Sequence, residues 1–287
     1  MKSPIVFFAA SLLISSSLAQ DSVESNDFPG PAFTYEQAHI PLAFSQAAYC
    51  RKANYLTQNY SGILAGFKAT KVIENFKNGV EGFVGYLPSD NSIYIVYMGS
   101  ETIENWLTNL NADKVHYTTF SDCYHCQVHD GFYSATKSVY PDVLLEVTRL
   151  RSIYPTAEIK TTGHSLGAAL AHLTALELVN SGFVVTMTNF GQPRVGEVHM
   201  ATYSNTKFSQ YRVVHDADIV PHTPGTIWPE SYWHTYYEMW EENTGVVRLA
   251  MILARISPAQ TSTYSSALQT IWSTLARVWE HLAVLAP

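Results

Sequence analysis

The stretch Gly163-His164-Ser165-Leu166-Gly167 decides the fold of this chain. It fits the pattern G-x-S-x-G at the point where a strand-like pattern of residues gives way to a helical one. Residues 158–162 read as a strand and residues 166–180 as an Ala/Leu-rich helix. A serine between the two needs a sharp turn, and glycine on both sides avoids steric collisions there. The first free N–H groups of the helix would point at the serine hydroxyl. We therefore predict Ser165 as a nucleophile and the Leu166 N–H as an oxyanion donor, with a purely structural turn as the alternative.

Strand-like and helical segments alternate on both sides of this motif. The helical patterns cover 35–50 and 132–153, with Pro141 expected to start or kink the second, and the strand patterns cover 92–98, 184–190 and 211–215. Such alternation implies right-handed βαβ crossovers and a mostly parallel sheet. The predicted fold class is α/β, a single α/β-hydrolase-like domain with helices on both faces of the sheet.

Composition narrows the function classes further. The chain has 287 residues, 47% of them hydrophobic, and 17 Lys+Arg against 24 Asp+Glu give a net charge of −7. A chain this apolar is not disordered, and its acidity disfavours nucleic-acid binding. Residues 1–19 resemble a cleavable signal peptide, with a membrane anchor as the alternative, and nothing later in the sequence reads as a membrane-spanning helix. We expect a secreted protein without stable membrane insertion, with a catalytic domain over 20–248.

The acid of a catalytic triad is expected after the nucleophile, in a loop following a later strand. Asp216 and Asp218 both follow the strand pattern of 211–215. Asp218 is favoured because Ile219 and Val220 follow it directly, before a proline. Asp216 also fits the role of a turn-capping residue.

With these residues in place, the chain resembles the secreted fungal-type triacylglycerol lipases, the class 3 lipases, over about residues 35–245. The matching blocks are Tyr97-Met98-Gly99-Ser100, Ile103-Glu104-Asn105-Trp106, Cys123 to Phe132, Gly163 to Gly167, Gly191 to Gly196, and Asp218-Ile219-Val220-Pro221. The last block favours Asp218 over Asp216 as the acid. Met98 is a departure, because Arg or Lys is usual before the glycine of the Gly-Ser block.

The resemblance implies hydrolysis of long-chain acylglycerols at an oil–water interface, without a metal or other cofactor. It makes Ser100 the second oxyanion contributor and residues 103–110 the start of a lid. Ile103, Trp106, Leu107 and Leu110 form an apolar stripe at helical spacing. A surface helix packed on the core is the alternative interpretation of that stripe. A feruloyl-type or short-chain carboxylesterase, and a catalytically impaired lipid-binding pseudo-lipase, are the alternative functions. Oligomeric state is left open.

The cysteines support a secreted protein. Cys123 and Cys126 are separated by two residues, and we expect a local disulfide, with a half zinc site involving His125 and His129 as the less favoured alternative. In the resembled family, a cysteine at the position of Cys50 pairs with one near the C-terminus, and this sequence has none there.

The base of the triad is difficult to place. The family's catalytic histidine lies in a C-terminal Asp-His-Leu segment followed by Tyr and Gly, whereas His281 is followed only by Leu282. His234 resembles a non-catalytic family position. Three hypotheses follow: His281 is the base of an atypical tail, His234 replaces it, or the tail at 249–287 is a shifted-frame or misspliced translation.

Back-translation favours the third hypothesis. Joining the last base of each codon to the first two of the next permits Asp-His-Leu-Glu-Tyr-Thr-Gly-Ala-Cys from residues 269–278. The same offset permits cysteines from residues 249–250 and 258–259. A single offset would therefore restore the histidine and a partner for Cys50 together.

Overall fold

The central element is an eight-stranded sheet in the order β1-β2-β3-β6-β7-β8-β9-β10. The computed structural model describes residues 34–50, 54–227, 229–241 and 247–251. The strands are β1 Lys68–Asn75, β2 Val80–Leu87, β3 Ser92–Tyr97, β4 Lys114–His116, β5 Gln127–His129, β6 Glu158–Gly163, β7 Val185–Phe190, β8 Ser209–His215, β9 Tyr237–Glu241 and β10 Val247–Met251. The helices are α1 Tyr35–Ala47, α2 Ile103–Asn109, α3 Asp130–Ile153, α4 Leu166–Asn180 and α5 Val198–Asn205. The signal-peptide prediction and His281 lie outside the described residues.

The five strands from β3 to β9 in this order are parallel, which agrees with the predicted fold class. The pairs β1–β2, β2–β3 and β9–β10 are antiparallel. β1 and β2 were not predicted, and β4 pairs with β5 in a separate two-stranded sheet. The strand β10 runs through the predicted start of the tail at residue 249, so the β9–β10 hairpin crosses that boundary.

Both faces of the sheet are covered, and the fully buried strand β3 sends alternate side chains to opposite sides. Ile93, Ile95 and Tyr97 join the cluster formed with α3 and α4. Tyr94 and Val96 join the other cluster, around Phe44 of α1. Each of these strand residues is at most 1% exposed. The near-continuous apolar pattern that predicted a doubly covered strand is thereby explained.

The sequence predicts that Pro141 starts or kinks this helix. The predicted start at Pro141 is wrong, since α3 begins at Asp130 and continues to Ile153 with Pro141 inside. Its start is set instead by His129, whose ring nitrogen accepts a hydrogen bond from the Phe132 N–H at 3.2 Å. Packing of Val139, Val143 and Val147 against the sheet stabilises the helix through the proline.

Candidate active site

Ser165 occupies a strained turn between β6 and α4. Its φ of 55° and ψ of −125° lie in a region that residues with a side chain rarely adopt, at a cost of about 1–3 kcal/mol. The backbone N–H of Ser165 donates to Phe190 O at 3.1 Å and holds the turn against β7. The hydroxyl is fully buried and has no hydrogen-bond partner among the described residues. The turn therefore leaves the Ser165 hydroxyl unpaired among the described residues, and its role as nucleophile stays a prediction.

The two glycines of the motif are required by close backbone approaches. A Cβ at Gly163 would collide with the backbone of Gly167 and lie 2.8 Å from Ala168 N. A Cβ at Gly167 would collide with Tyr97 O and lie 2.8 Å from Met98 C. The turn is thus pressed against the end of β3, which leads into the predicted oxyanion residue Ser100.

The segment 98–100 passes close to the predicted nucleophile Ser165. A Cβ at Gly99 would lie 3.3 Å from Ser165 Cβ and 2.6 Å from His164 O. Ser100 and Leu166 both line one cavity beside this contact. The structure therefore brings the two predicted oxyanion contributors to the same place as the predicted nucleophile.

Tyr49, which sequence reasoning did not select, connects these two segments. Its hydroxyl shares a hydrogen bond of 2.7 Å with Nδ1 of His164 and lies against Gly99. Burial lowers the pKa of His164 to about 4, so its ring is neutral at neutral pH. Burial raises the pKa of Tyr49, and the backbone amide of Gly99 opposes that shift. Tyr49 thus fixes the loop that carries Ser100 to the turn that carries Ser165.

We expect Tyr49→Phe to lower the free energy of unfolding by about 1–2 kcal/mol, because it leaves the buried Nδ1 of His164 unpaired. Urea unfolding followed by fluorescence would measure the change. Tyr124→Phe is the matched control, since Tyr124 is 76% exposed. Equal stabilities of Tyr49→Phe and the control would contradict the assigned hydrogen bond.

Asp218 lies on the other side of the elbow, next to the end of β7. A Cβ at Gly191 would lie 2.8 Å from Asp218 Oδ2 and 3.4 Å from the His164 ring, so the acid loop and the elbow meet at this glycine. Asp218 Oδ1 accepts a hydrogen bond from the Val220 N–H at 2.9 Å. Burial raises the pKa of Asp218 to about 6, while the Val220 amide and the charge of His215 oppose that shift. Asp218 is only 7% exposed, so its carboxylate is buried next to the turn that carries Ser165.

The loop after Asp218 is held by two buried side chains that sequence reasoning did not assign to this task. The Arg194 guanidinium donates to His222 O and to Pro224 O at 2.7 Å, and its backbone N–H donates to Thr223 O at 2.8 Å. His234 Nε2 donates to Pro221 O at 2.6 Å. No local pattern signals these contacts, because the partners come from turns that are distant in sequence.

The described histidines do not complete a triad. The Ser165 hydroxyl has no hydrogen bond to any of them. The Nε2 hydrogen of His234 is committed to Pro221, and burial together with Arg212 and Arg194 lowers its pKa well below the usual value. His215 Nδ1 lies 3.4 Å from Glu241. Within the described part of the chain, the predicted nucleophile Ser165 and the predicted acid Asp218 therefore lie near the same turn without a histidine bonded to Ser165.

The cavity beside Ser100 and Leu166 has a volume of about 670 Å³ and is bordered by α2. All four residues of the predicted apolar stripe, Ile103, Trp106, Leu107 and Leu110, are partly buried, whereas Glu104, Asn105, Thr108 and Asn109 are exposed. The Trp106 ring stacks on Phe132 with centroids 6.3 Å apart. The stripe therefore faces the body of the protein, as either interpretation of this helix requires.

The predicted cysteine pair is a disulfide, Cys123–Cys126, with Cα atoms 5.5 Å apart. This arrangement removes the half zinc site as an interpretation of the two thiols. Cys50 is a free, exposed thiol. In the part of the chain that the structure describes, no three His, Cys, Asp or Glu side chains are grouped to hold a metal. No described helix is long and apolar enough to span a membrane.

Three features together define the α/β-hydrolase class of serine hydrolases. They are a mostly parallel sheet, a strained serine between a strand and a helix, and a buried carboxylate after a later strand. The sequence profile described as Lipase (class 3) matches residues 94–228. Residues 94–228, just under half of the chain, therefore match the class 3 lipase family.

Individual relatives agree with this assignment. The chain is 33% identical over 163 residues to secreted mono- and diacylglycerol lipase 1 of Fusarium solani, covering 55% of this chain and 47% of that protein. It is 35% identical over 158 residues to a lipase of Rhizomucor miehei, covering 51% and 43%. The matches thus span about half the length of these two relatives. The solved Rhizomucor miehei lipase–propeptide complex superposes with a TM-score of 0.69 at 27% identity, covering 78% of this chain and 74% of that one.

Proposed function

We propose that the chain is a secreted serine esterase that hydrolyses the ester bonds of acylglycerols, including triacylglycerols, through an acyl-enzyme. The observation that carries the proposal is the strained, buried Ser165 with an unpaired hydroxyl, in contact with the Gly99–Ser100 segment and close to a large cavity. The match of residues 94–228 to the class 3 lipase profile, and the similarity to a mono- and diacylglycerol lipase and to another lipase, support the substrate class. The leader-like residues 1–19 and the secreted relatives support secretion.

In this mechanism Ser165 Oγ attacks the ester carbonyl while a histidine accepts its proton. Asp218 orients that histidine and stabilises its positive charge. The Leu166 N–H and Ser100 donate hydrogen bonds to the oxyanion of the tetrahedral intermediate. The histidine returns the proton to the leaving alcohol, and water then releases the fatty acid by the same steps in reverse order.

Comparison of three substrates tests the proposal against an esterase of another specificity. We expect emulsified triolein to be hydrolysed with a higher specific activity than dissolved p-nitrophenyl acetate or methyl ferulate, because Trp106, Phe132 and Leu166 give the cavity apolar surface that suits an acyl chain. A pH-stat and a spectrophotometric assay measure the rates. Preference for methyl ferulate or for the acetate would identify the feruloyl-type or short-chain esterase instead.

A catalytically impaired lipid-binding protein is the second candidate, because no described histidine bonds to Ser165. A fluorophosphonate probe separates the two. An intact triad labels Ser165 rapidly, whereas a chain without a base labels slowly even when it binds lipid.

We further propose that the native tail after about residue 249 is read in another frame. The coding DNA is expected to contain, in the offset described above, the codons for Asp-His-Leu-Glu-Tyr-Thr-Gly-Ala-Cys across residues 269–278. Sequencing the 3′ end of the transcript checks this expectation. Absence of those codons would leave His281, or His234 after rearrangement, as the remaining bases. A chain with the restored tail is expected to label with the probe faster than this one by on the order of 10⁴.

A further inference from the structure

Two exposed histidines, His125 and His199, lie side by side on the surface, and neither lines the cavity of the candidate active site. Their positions follow from the backbone, because an antiparallel bridge pairs Val128 with Gly196. Three residues from that bridge, back along one segment and onward along the other, the same register places His125 opposite His199. The centroids of the two imidazole rings are 6.2 Å apart. The pairing of two distant segments therefore brings the rings together.

The orientation of the His199 ring is fixed by the carboxylate of Glu197. Nδ1 of His199 lies 2.8 Å from Glu197 Oε2. The same carboxylate accepts the backbone N–H groups of Gln127 at 3.2 Å, His199 at 2.8 Å and Met200 at 2.9 Å. Burial acts to raise the pKa of Glu197, but the N–H donors of His199 and Met200 outweigh it and lower the pKa. An ionised carboxylate can only accept, so in the neutral ring Nδ1 carries the hydrogen and Nε2 keeps its lone pair.

His125 is held from the other side by the disulfide turn. It lies between Cys123 and Cys126, and its φ of 61° falls in the left-handed region. The Cys126 N–H donates to Cys123 O at 3.4 Å and closes the turn. Both cysteines are buried, whereas His125 is exposed. An anchored stretch of backbone thus presents this ring to solvent beside the His199 ring.

Neighbouring imidazoles are ligands for Zn²⁺, Cu²⁺ and Ni²⁺, whereas Mg²⁺ and Ca²⁺ prefer oxygen. An imidazole nitrogen binds zinc at about 2.0–2.1 Å, so two rings on one tetrahedral ion have centroids roughly 5 Å apart. From a separation of 6.2 Å, the rings of His125 and His199 reach this geometry by an approach of about 1 Å. Rotation of two exposed side chains provides that approach. The carboxylate behind His199 is the outer partner that metal-binding histidines commonly have.

We propose that His125 and His199 bind one divalent ion of the zinc and copper class, with water completing its coordination. A site with two protein ligands agrees with the absence of any three-residue metal group among the described side chains. The disulfide sulfurs take no part in it. The ion joins the disulfide turn to the start of α5, so it stabilises the folded chain and has no role in ester hydrolysis.

Titration calorimetry with ZnCl₂ tests the site. The full chain carries Cys50→Ser throughout, because the exposed Cys50 thiol can also bind zinc. We expect Zn²⁺ to bind and Mg²⁺ not to bind under the same conditions. His125→Asn and His199→Asn are each expected to weaken zinc binding about tenfold or more. His39→Gln is the matched control, since it removes an exposed histidine from α1 and should leave the affinity unchanged.

Urea unfolding gives a second readout of the same site. Zinc should raise the unfolding midpoint of the Cys50→Ser chain and of the His39→Gln control, and leave the midpoints of His125→Asn and His199→Asn unchanged. Absence of zinc binding, equal zinc affinity in the two histidine variants and the control, or no effect of zinc on the midpoint would each overturn the inference. Ester hydrolysis is measured separately, so failure of this site leaves the proposed function standing.

Discussion

Ser165→Ala is expected to reduce ester hydrolysis by on the order of 10⁴–10⁶ and to abolish covalent labelling by a fluorophosphonate. The reason is geometric, since this hydroxyl is the one held at the elbow against Gly99, with the first amides of α4 beside it. Initial rates on a dissolved ester and the mass of the labelled protein measure the two effects.

The fold should tolerate Ser165→Ala, because the hydroxyl has no hydrogen bond to lose among the described residues. The midpoint of urea unfolding is therefore expected to stay close to that of the wild type. Ser134→Ala, on the exposed side of α3, is the control for serine removal and should leave both rate and labelling unchanged. Labelling of the alanine variant at the wild-type rate would remove Ser165 as the nucleophile. A wild type that also fails to label would favour the lipid-binding alternative.

Asp218→Asn is expected to lower turnover by about 10⁴, because the amide cannot stabilise the positive histidine that forms in each half of the reaction. The same substitution retains an oxygen that accepts the Val220 N–H, so the loop geometry is preserved. Asp216→Asn is the matched control two residues away. Similar losses in both variants would contradict the assignment of Asp218.

The pH dependence follows from the raised pKa of Asp218, about 6. The carboxyl becomes protonated as the pH falls through this value, so we expect hydrolysis to decline below about pH 6. For stability the sign is opposite. A carboxyl whose pKa is higher in the folded state than its ordinary 3.8 favours folding at low pH, and this contribution is lost as the pH rises through about 6.

Asp218→Asn should therefore stabilise the fold near pH 8 by on the order of 2 kcal/mol relative to the wild type, and have little effect near pH 4. Urea unfolding at the two pH values measures the difference. The stability difference between Asp218→Asn and the wild type could instead be the same at pH 8 and at pH 4. That result would show that burial of the Asp218 carboxylate is not costly. The expected combination of higher stability and lost activity is typical of a group buried for function.

Local patterns predicted much of the fold. The Ala/Leu-rich run gave α4 with the same ends, Leu166 and Asn180, and the apolar run at 92–98 gave β3. The predictions that failed involve tertiary context. The antiparallel strands β1 and β2 were missed. In the structure β2 is closely packed between its neighbours, with Gly82 beside β3 and Gly85 beside β1. The helix boundary expected at Pro141 was overridden by packing of its apolar face.

The sequence by itself determined the structural features that depend on residues close together along the chain. Glycines around Ser165 allow a turn that larger side chains would block, Cys123 and Cys126 lie within reach of each other, and the stripe from Ile103 to Leu110 has one apolar face. Only the tertiary structure placed Tyr49 between His164 and Gly99, and Arg194 and His234 under the loop of Asp218. The physical reason is that those hydrogen bonds join segments brought together by the order of parallel strands, and periodicity along a chain carries no information about which distant turns will meet.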